Sequence, residues 1–240
     1  MTALPRVRYN ARSHVGLKRK VNEDAVLALP EQSIWVVSDG MGGHEAGDYA
    51  SRLITDLIAT IDPALPATDR MHALRHAIQK AHGMIRDEAA ARGVSVIGAT
   101  VASLMLANGH FVGIWAGDSR IYRVRDGASQ MLTADHSIVA SLVEAGQMSW
   151  DEAEHHPQSN AITRAVGVGD ELELDKVRGE VEQGDRFLIC SDGLTKYATF
   201  GMLENVMSHE PLETVVDRLI QIALDGGGAD NITVVVVDIT

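Results

Sequence analysis

One cysteine occurs in 240 residues. With Cys190 alone, no intrachain disulfide can form, and a reducing compartment suits the chain. Cys190 lies within "RFLICSDG", where it reads as a small buried hydrophobe rather than a nucleophile. Positive charge is scarce as well: 21 Lys and Arg stand against 33 Asp and Glu, a net charge of −12. The chain therefore lacks the basic footprint of a nucleic-acid binder. Its only basic stretch, "RVRYNARSHVGLKRK", reads as a solvated edge, Arg19 apart. Long apolar runs are missing too. No segment approaches the roughly 20 residues that span a bilayer, and "MTALPRVRYNARSH" carries no apolar core of a signal peptide. No Gly-x-Ser-x-Gly elbow is present, and no cysteine-protease-like signature surrounds Cys190, so no protein nucleophile stands out. These absences lead to the expectation of a cytoplasmic protein without membrane or nucleic-acid partners.

What is present is ordinary globular material, 45% hydrophobic and 22% charged. That composition and length fit one domain over residues 1–240 with a sizeable core. Short Val- and Ile-rich runs bounded by Gly, Asp or Asn read as strands: "SIWVVSD", "GATVASLMLA", "HFVGIWAGD", "RIYRVRDG", "DRFLICSD" and "NITVVVVDI". The third and fourth join at Gly117-Asp118-Ser119, and Asp126-Gly127 closes the fourth as a plain turn. Helical spacing puts Met71, Leu74, Ile78, Ala81 and Ile85 on one face, with Thr68 or Asp69 as cap. "AGDYASRLITDLIATI" and "PLETVVDRLIQIAL" give two more helices, the latter with Pro211 in its first turn and glycines 226 to 228 closing it. Strands paired through tight turns predict mostly antiparallel sheets with helices packed outside. Residues 137–167 are polar, with two short helical pieces. They read either as a flap over one edge or as an ordinary helical connection.

The acids at strand ends carry the functional signal. Asp39 follows "IWVV", Asp118 follows "GIWAG", Asp192 follows "FLICS", Asp230 precedes "NITVVVV", and Glu23 and Asp24 stand in "NED". Singly, each is a turn residue. Jointly, carboxylates brought to one sheet edge would repel and take up protons unless a multivalent cation compensates them. An all-oxygen donor set favours Mg²⁺ or Mn²⁺ over zinc. The glycines beside these acids give backbone carbonyls and water room to approach. Two such ions about 3.5–4 Å apart can share a carboxylate and a water that attacks phosphorus. A phosphate also needs a cation to grip it. Arg19 is best placed, with Arg120 and Arg164 as alternatives that could equally be structural ion-pair partners.

In their order along the chain, "KRKVNED", "VVSDGMGGHEAGDYAS", "IGATV", "WAGDSRIY", "LTADHS", "EAGQMSWDEAEHHPQSNAITRAVG", "GDRFLICSDGL" and "GGGADNITVVVVDI" resemble the motifs of type 2C protein phosphatases, the metal-dependent Ser/Thr phosphatases, in their bacterial form. The match runs from about Gly16 to Ile239. The resemblance implies an α+β fold, a four-layer αββα sandwich of two antiparallel sheets flanked by helices, with a flap at about 137–167 and the metal site at one end. It also implies roles. Asp39 would bridge two core ions, with the Gly40 carbonyl on one of them. Asp192 and Asp230 would hold one ion and Glu23 its neighbour. Asp24 would orient metal-bound water, and Arg19 would bind phosphate. Asp118 and Asp192 would contribute to a third, looser ion beside the flap, and Asn231 would support Asp230.

Two departures stand out. Met41 occupies the place where animal members carry a histidine proposed as general acid, and a thioether cannot donate a proton. His44, three residues on, reads as a loop histidine. Lys196 stands where an acidic residue is common. The expected activity is hydrolysis of phosphoserine and phosphothreonine in proteins, dependent on Mn²⁺ or Mg²⁺ and opposing a Ser/Thr kinase and its substrates, by a monomer. A two-metal phosphohydrolase of nucleotides or small esters is the second reading. A non-catalytic scaffold is the third, and the complete set of metal carboxylates speaks against it.

Overall fold

A computed structural model of the chain describes residues 6–42 and 45–240; His44 lies outside them. In chain order the elements are β1 (Val7–His14), β2 (Asp24–Leu29), β3 (Ile34–Met41), α1 (Glu45–Ala59), α2 (Ala67–Arg92), β4 (Gly98–Ala99), β5 (Val101–Ala107), β6 (His110–Ala116), β7 (Arg120–Arg125) and β8 (Ala128–Met131). There follow α3 (Ile138–Glu144), α4 (Trp150–Ala153), β9 (Asp175–Glu180), β10 (Arg186–Cys190), α5 (Asp192–Thr195), α6 (Phe200–His209), α7 (Leu212–Asp225) and β11 (Ile232–Ile239). One sheet runs β1-β11-β10-β7-β8 and the other β2-β3-β5-β6-β9, with β4 added to β3. Every strand pairing is antiparallel.

The unbroken apolar runs are strands buried on both faces. Along β3, Trp35 and Val37 enter the core between the two sheets, while Ile34 and Val36 face α1 and α2. Along β11, Val235 and Val237 enter the same inter-sheet core, while Val234 and Val236 pack on α6 and α7. Period-two alternation thus feeds two cores at once, and the layers are helix, sheet, sheet, helix. Ala50, Ile54 and Ile58 of α1, and Leu74, Ile78, Ala81 and Ile85 of α2, supply the fully buried helical stripe on one side. Leu212, Val215, Val216, Leu219 and Ala223 of α7 supply it on the other. The expected face of α2 is present, with Met71 partly buried at its margin. Its cap differs from expectation: Pro66 is the N-cap, without a side-chain hydrogen bond, and Thr68 and Asp69 fall inside the first turn. Pro sets the φ that enters a helix and needs no N–H there. Pro211 likewise caps α7 from just outside it.

Asn108-Gly109 and Asp126-Gly127 both have positive φ and make the two tight turns β5–β6 and β7–β8. The Gly117-Asp118-Ser119 junction is different. β6 lies in one sheet and β7 in the other, so the chain crosses between layers there instead of making a hairpin. Residues 137–167 hold α3 and α4 and little strand. Ser137 caps α3, a Ser149/Glu152 capping box starts α4, and a single bridge between Ser137 and Ile162 closes the segment at its base. Among the described residues, no helix is long and apolar enough to cross a membrane.

Candidate active site at one end of the sandwich

Strand register explains why distant acids meet. His14 of β1 pairs with Ile232 of β11, and Cys190 of β10 pairs with both Val234 of β11 and Arg120 of β7. Arg19, Asp230, Asp192 and Asp118 therefore leave the same end of one sheet. In the other sheet Asp24 is the register partner of Asp39, and β5 meets Ala116 of β6 at its start. Glu23, Asp39 and Asp118 line a cleft of about 330 Å³ together with Asp192 and Asp230. Arg19, Lys20 and Lys196 bring the positive charge to it, and Asn160 and Ile162 reach it from the 137–167 segment.

Each acid is held by its surroundings. Asp39 donates its N–H to Thr100 Oγ1 at 3.0 Å, and Thr100 shares a 2.7 Å hydrogen bond with Ser119 Oγ, next to Asp118. Asn231 locks the loop before β2. Its Oδ1 accepts the Glu23 N–H at 2.8 Å, and its Nδ2 donates to the Val15 and Val21 carbonyls. Asp24 does not line the cleft. It is buried, and its Oδ2 accepts from Ser191 Oγ at 2.8 Å and Thr233 Oγ1 at 2.6 Å. Gly40 and Gly47 bring the strand tip against the start of α1. A Cβ on Gly40 would collide with the Gly47 and Glu23 carbonyls, and one on Gly47 would lie 2.9 Å from the Gly40 carbonyl oxygen. These two glycines are thus required by backbone contact as well as by access to the site.

Electrostatics make the cluster costly. Burial, then the charges of Asp24, Asp192, Asp118 and Asp230, hold the Asp39 carboxyl well above the usual carboxylate range. Burial and then Asp192 and Asp135 do the same to Asp118. Asp24 is pushed up to about 7, burial outweighing its two hydroxyl donors. Asp24 Oδ1, Asp118 Oδ1 and Asp192 Oδ1 are buried without a hydrogen-bond partner. Oxygen acceptors left over in a repelling, water-poor cluster are what hard divalent cations satisfy. Among the described residues no three His, Cys, Asp or Glu side chains close up into a coordination shell by themselves.

The other arginines are engaged elsewhere. Arg120 is buried and forks onto Asp135 at 2.9 and 2.6 Å, with Glu154 at 2.8 Å and the Trp150 ring 4.9 Å away. Arg164 binds Asp175 at 2.9 Å and lies 3.0 Å from His136 Nε2. Arg19 alone of the three lines the cleft, with one nitrogen 2.9 Å from Asp230 Oδ2. Cys190 is fully buried, and burial pushes its thiol up to about 12, which suits a packing role. Sequence reasoning did not find Asn160 or Ile162, whose only signal is their place in the 137–167 segment. It noted Lys196 without giving it a contact. The Lys196 ammonium stands 2.6 Å from Asp192 and 3.5 Å from Asp230.

The family model for protein phosphatase 2C matches residues 12–233. The serine/threonine protein phosphatase PstP of Mycobacterium tuberculosis is 36% identical over 97% of this chain, which spans 45% of that relative's length. The structure described as "PppA, a key regulatory component of T6SS in Pseudomonas aeruginosa" is 44% identical, covers 98% of both chains and superposes with a TM-score of 0.91. The catalytic domain of PstP in complex with two manganese ions is 34% identical over 98% of both chains, with a TM-score of 0.88. The chain belongs to the protein phosphatase 2C family.

Proposed function

We propose that this chain hydrolyses phosphoserine and phosphothreonine in proteins with the help of two Mn²⁺ or Mg²⁺ ions. The observation that carries the reading is the convergence of five carboxylates and Arg19 on one cleft. The two manganese ions in the related PstP catalytic domain support it. Asp39 and the Gly40 carbonyl, with Glu23 on one side and Asp192 and Asp230 on the other, would hold the ions, and Asp118 with Asp192 offers a looser place for a third. When bound, such ions supply a water that is nucleophilic near neutral pH. Asp24 stands behind the cleft and orients groups near it. Arg19 keeps one nitrogen on Asp230 and presents the rest of its fork to a phosphate dianion, with Lys20 beside it. Met41 lines the cleft and donates no proton, so the leaving alcohol takes its proton from another group.

The whole chain serves as one catalytic domain, with residues 137–167 as its flap and phosphorylated proteins, among them a Ser/Thr kinase and its substrates, as partners of a monomer. Asp39→Asn and Asp192→Asn keep side-chain size and remove charge. Both are expected to abolish Mn²⁺-dependent hydrolysis of a phosphothreonine peptide, and full activity in both would overturn the reading. Running the same assay with a nucleotide separates it from a small-ester hydrolase.

A further inference from the structure

Lys196 follows directly on α5, the short turn that Asp192 opens, and its side chain folds back over that turn. Its ammonium lies 2.6 Å from Asp192 Oδ2 and 3.5 Å from Asp230 Oδ2, with only 18% of the side chain exposed. A lysine ammonium beside two carboxylates carries its charge throughout the neutral range. The two carboxylates it bridges are those assigned above to one divalent ion.

We propose that Lys196 is a built-in competitor for the ion held by Asp192 and Asp230. This inference rests on the metal-dependent reading above. A fixed positive charge and a divalent cation cannot share two carboxylates without repulsion, and in a partly desolvated cleft that repulsion is weakly screened. Loading this side of the cleft requires the ammonium to leave Asp192 or to tolerate the ion beside it. The chain thereby gains a neutralised, stable cluster at low metal and gives up affinity. Its occupancy then follows the concentration of free divalent ion over a higher range than a neutral residue at 196 would set.

The test is calorimetric titration of Mn²⁺ into the wild type, Lys196→Met and Lys196→Arg. Removing the charge is expected to tighten the weaker binding step by about tenfold or more, while Lys196→Arg stays near the wild type. In chelator, Lys196→Met should melt below the wild type, and Mn²⁺ should raise its melting temperature by more. A damaged fold weakens binding, so a gain in affinity separates competition from a structural role. Lys196→Gln repeats the test if the methionine variant does not fold. Equal or weaker affinity in the neutral variants, with the wild type binding Mn²⁺, would overturn this inference alone. A wild type that binds no Mn²⁺ would overturn the metal reading and this inference with it.

Discussion

Arg19 shows how much a single side chain can be read from its place and how much needs the fold. Its position before "NED" already marked it as best placed, but the residues alone left Arg120 and Arg164 as alternatives. The difference lies in partners 15 or more residues away for Arg120 and in Asp175 and Glu173 for Arg164. The proposed grip of Arg19 on phosphate would act in ground and transition state alike, so Arg19→Ala is expected to raise KM for a phosphopeptide by about 10- to 100-fold, the worth of a charge-assisted hydrogen bond or two, and to change kcat little. Steady-state kinetics check this, and a fall in kcat at constant KM would contradict it. The carboxylates were legible for a different reason. Asp is a poor strand former, so an Asp ending an apolar run is visible, and several such ends must share a sheet edge. Asn160 and Ile162 were not legible, because nothing in a polar helical segment says which residue turns toward the cleft.

At the scale of elements, the strands of the two cores were legible because both of their faces are buried. The edge strands were not. β1 and β9 are mostly exposed or half-exposed, so their composition is that of solvated chain, and pairing with β11 and β6 makes them strands. The crossing from β6 to β7 was hidden because a Gly-Asp-Ser junction serves a hairpin and a change of sheet alike. The segment holding α3 and α4 is fastened from below by Arg120, whose guanidinium meets Asp135 and, on the C-cap of α4, Glu154. Arg120→Met leaves two acids facing each other in a buried site. The expected cost is about 3–5 kcal/mol, read as a lower midpoint in urea unfolding, with faster amide exchange in α4.

For the molecule as a whole, pH acts through buried histidines as well as through the cleft. His82, on α2, accepts the Gly167 N–H with Nδ1, and burial holds its pKa below the usual value, as it does for His136. The unfolded chain then binds protons more readily than the folded one. The stability these groups provide is complete above about pH 6.5 and declines as pH falls through the lowered folded values. His82→Asn keeps an acceptor for Gly167 and cannot be protonated there, so it should lose less stability than the wild type between pH 7 and pH 5. Thermal melts across that range decide it.

The pairing of β1 with β11 has a consequence for biosynthesis. β11 lies between β1 and β10 in its sheet and is preceded by Asp230 and Asn231, the residues that fasten Arg19 and the Glu23 loop. On the ribosome, β1 must wait for β11, since β11 is its sheet neighbour. The sheet of β2, β3, β5, β6 and β9 can assemble while the rest of the chain is still emerging, but the cleft cannot. A chain cut before β11 is therefore expected to lose the Asp230 side of the cleft and the β11 share of two cores, read as loss of cooperative unfolding.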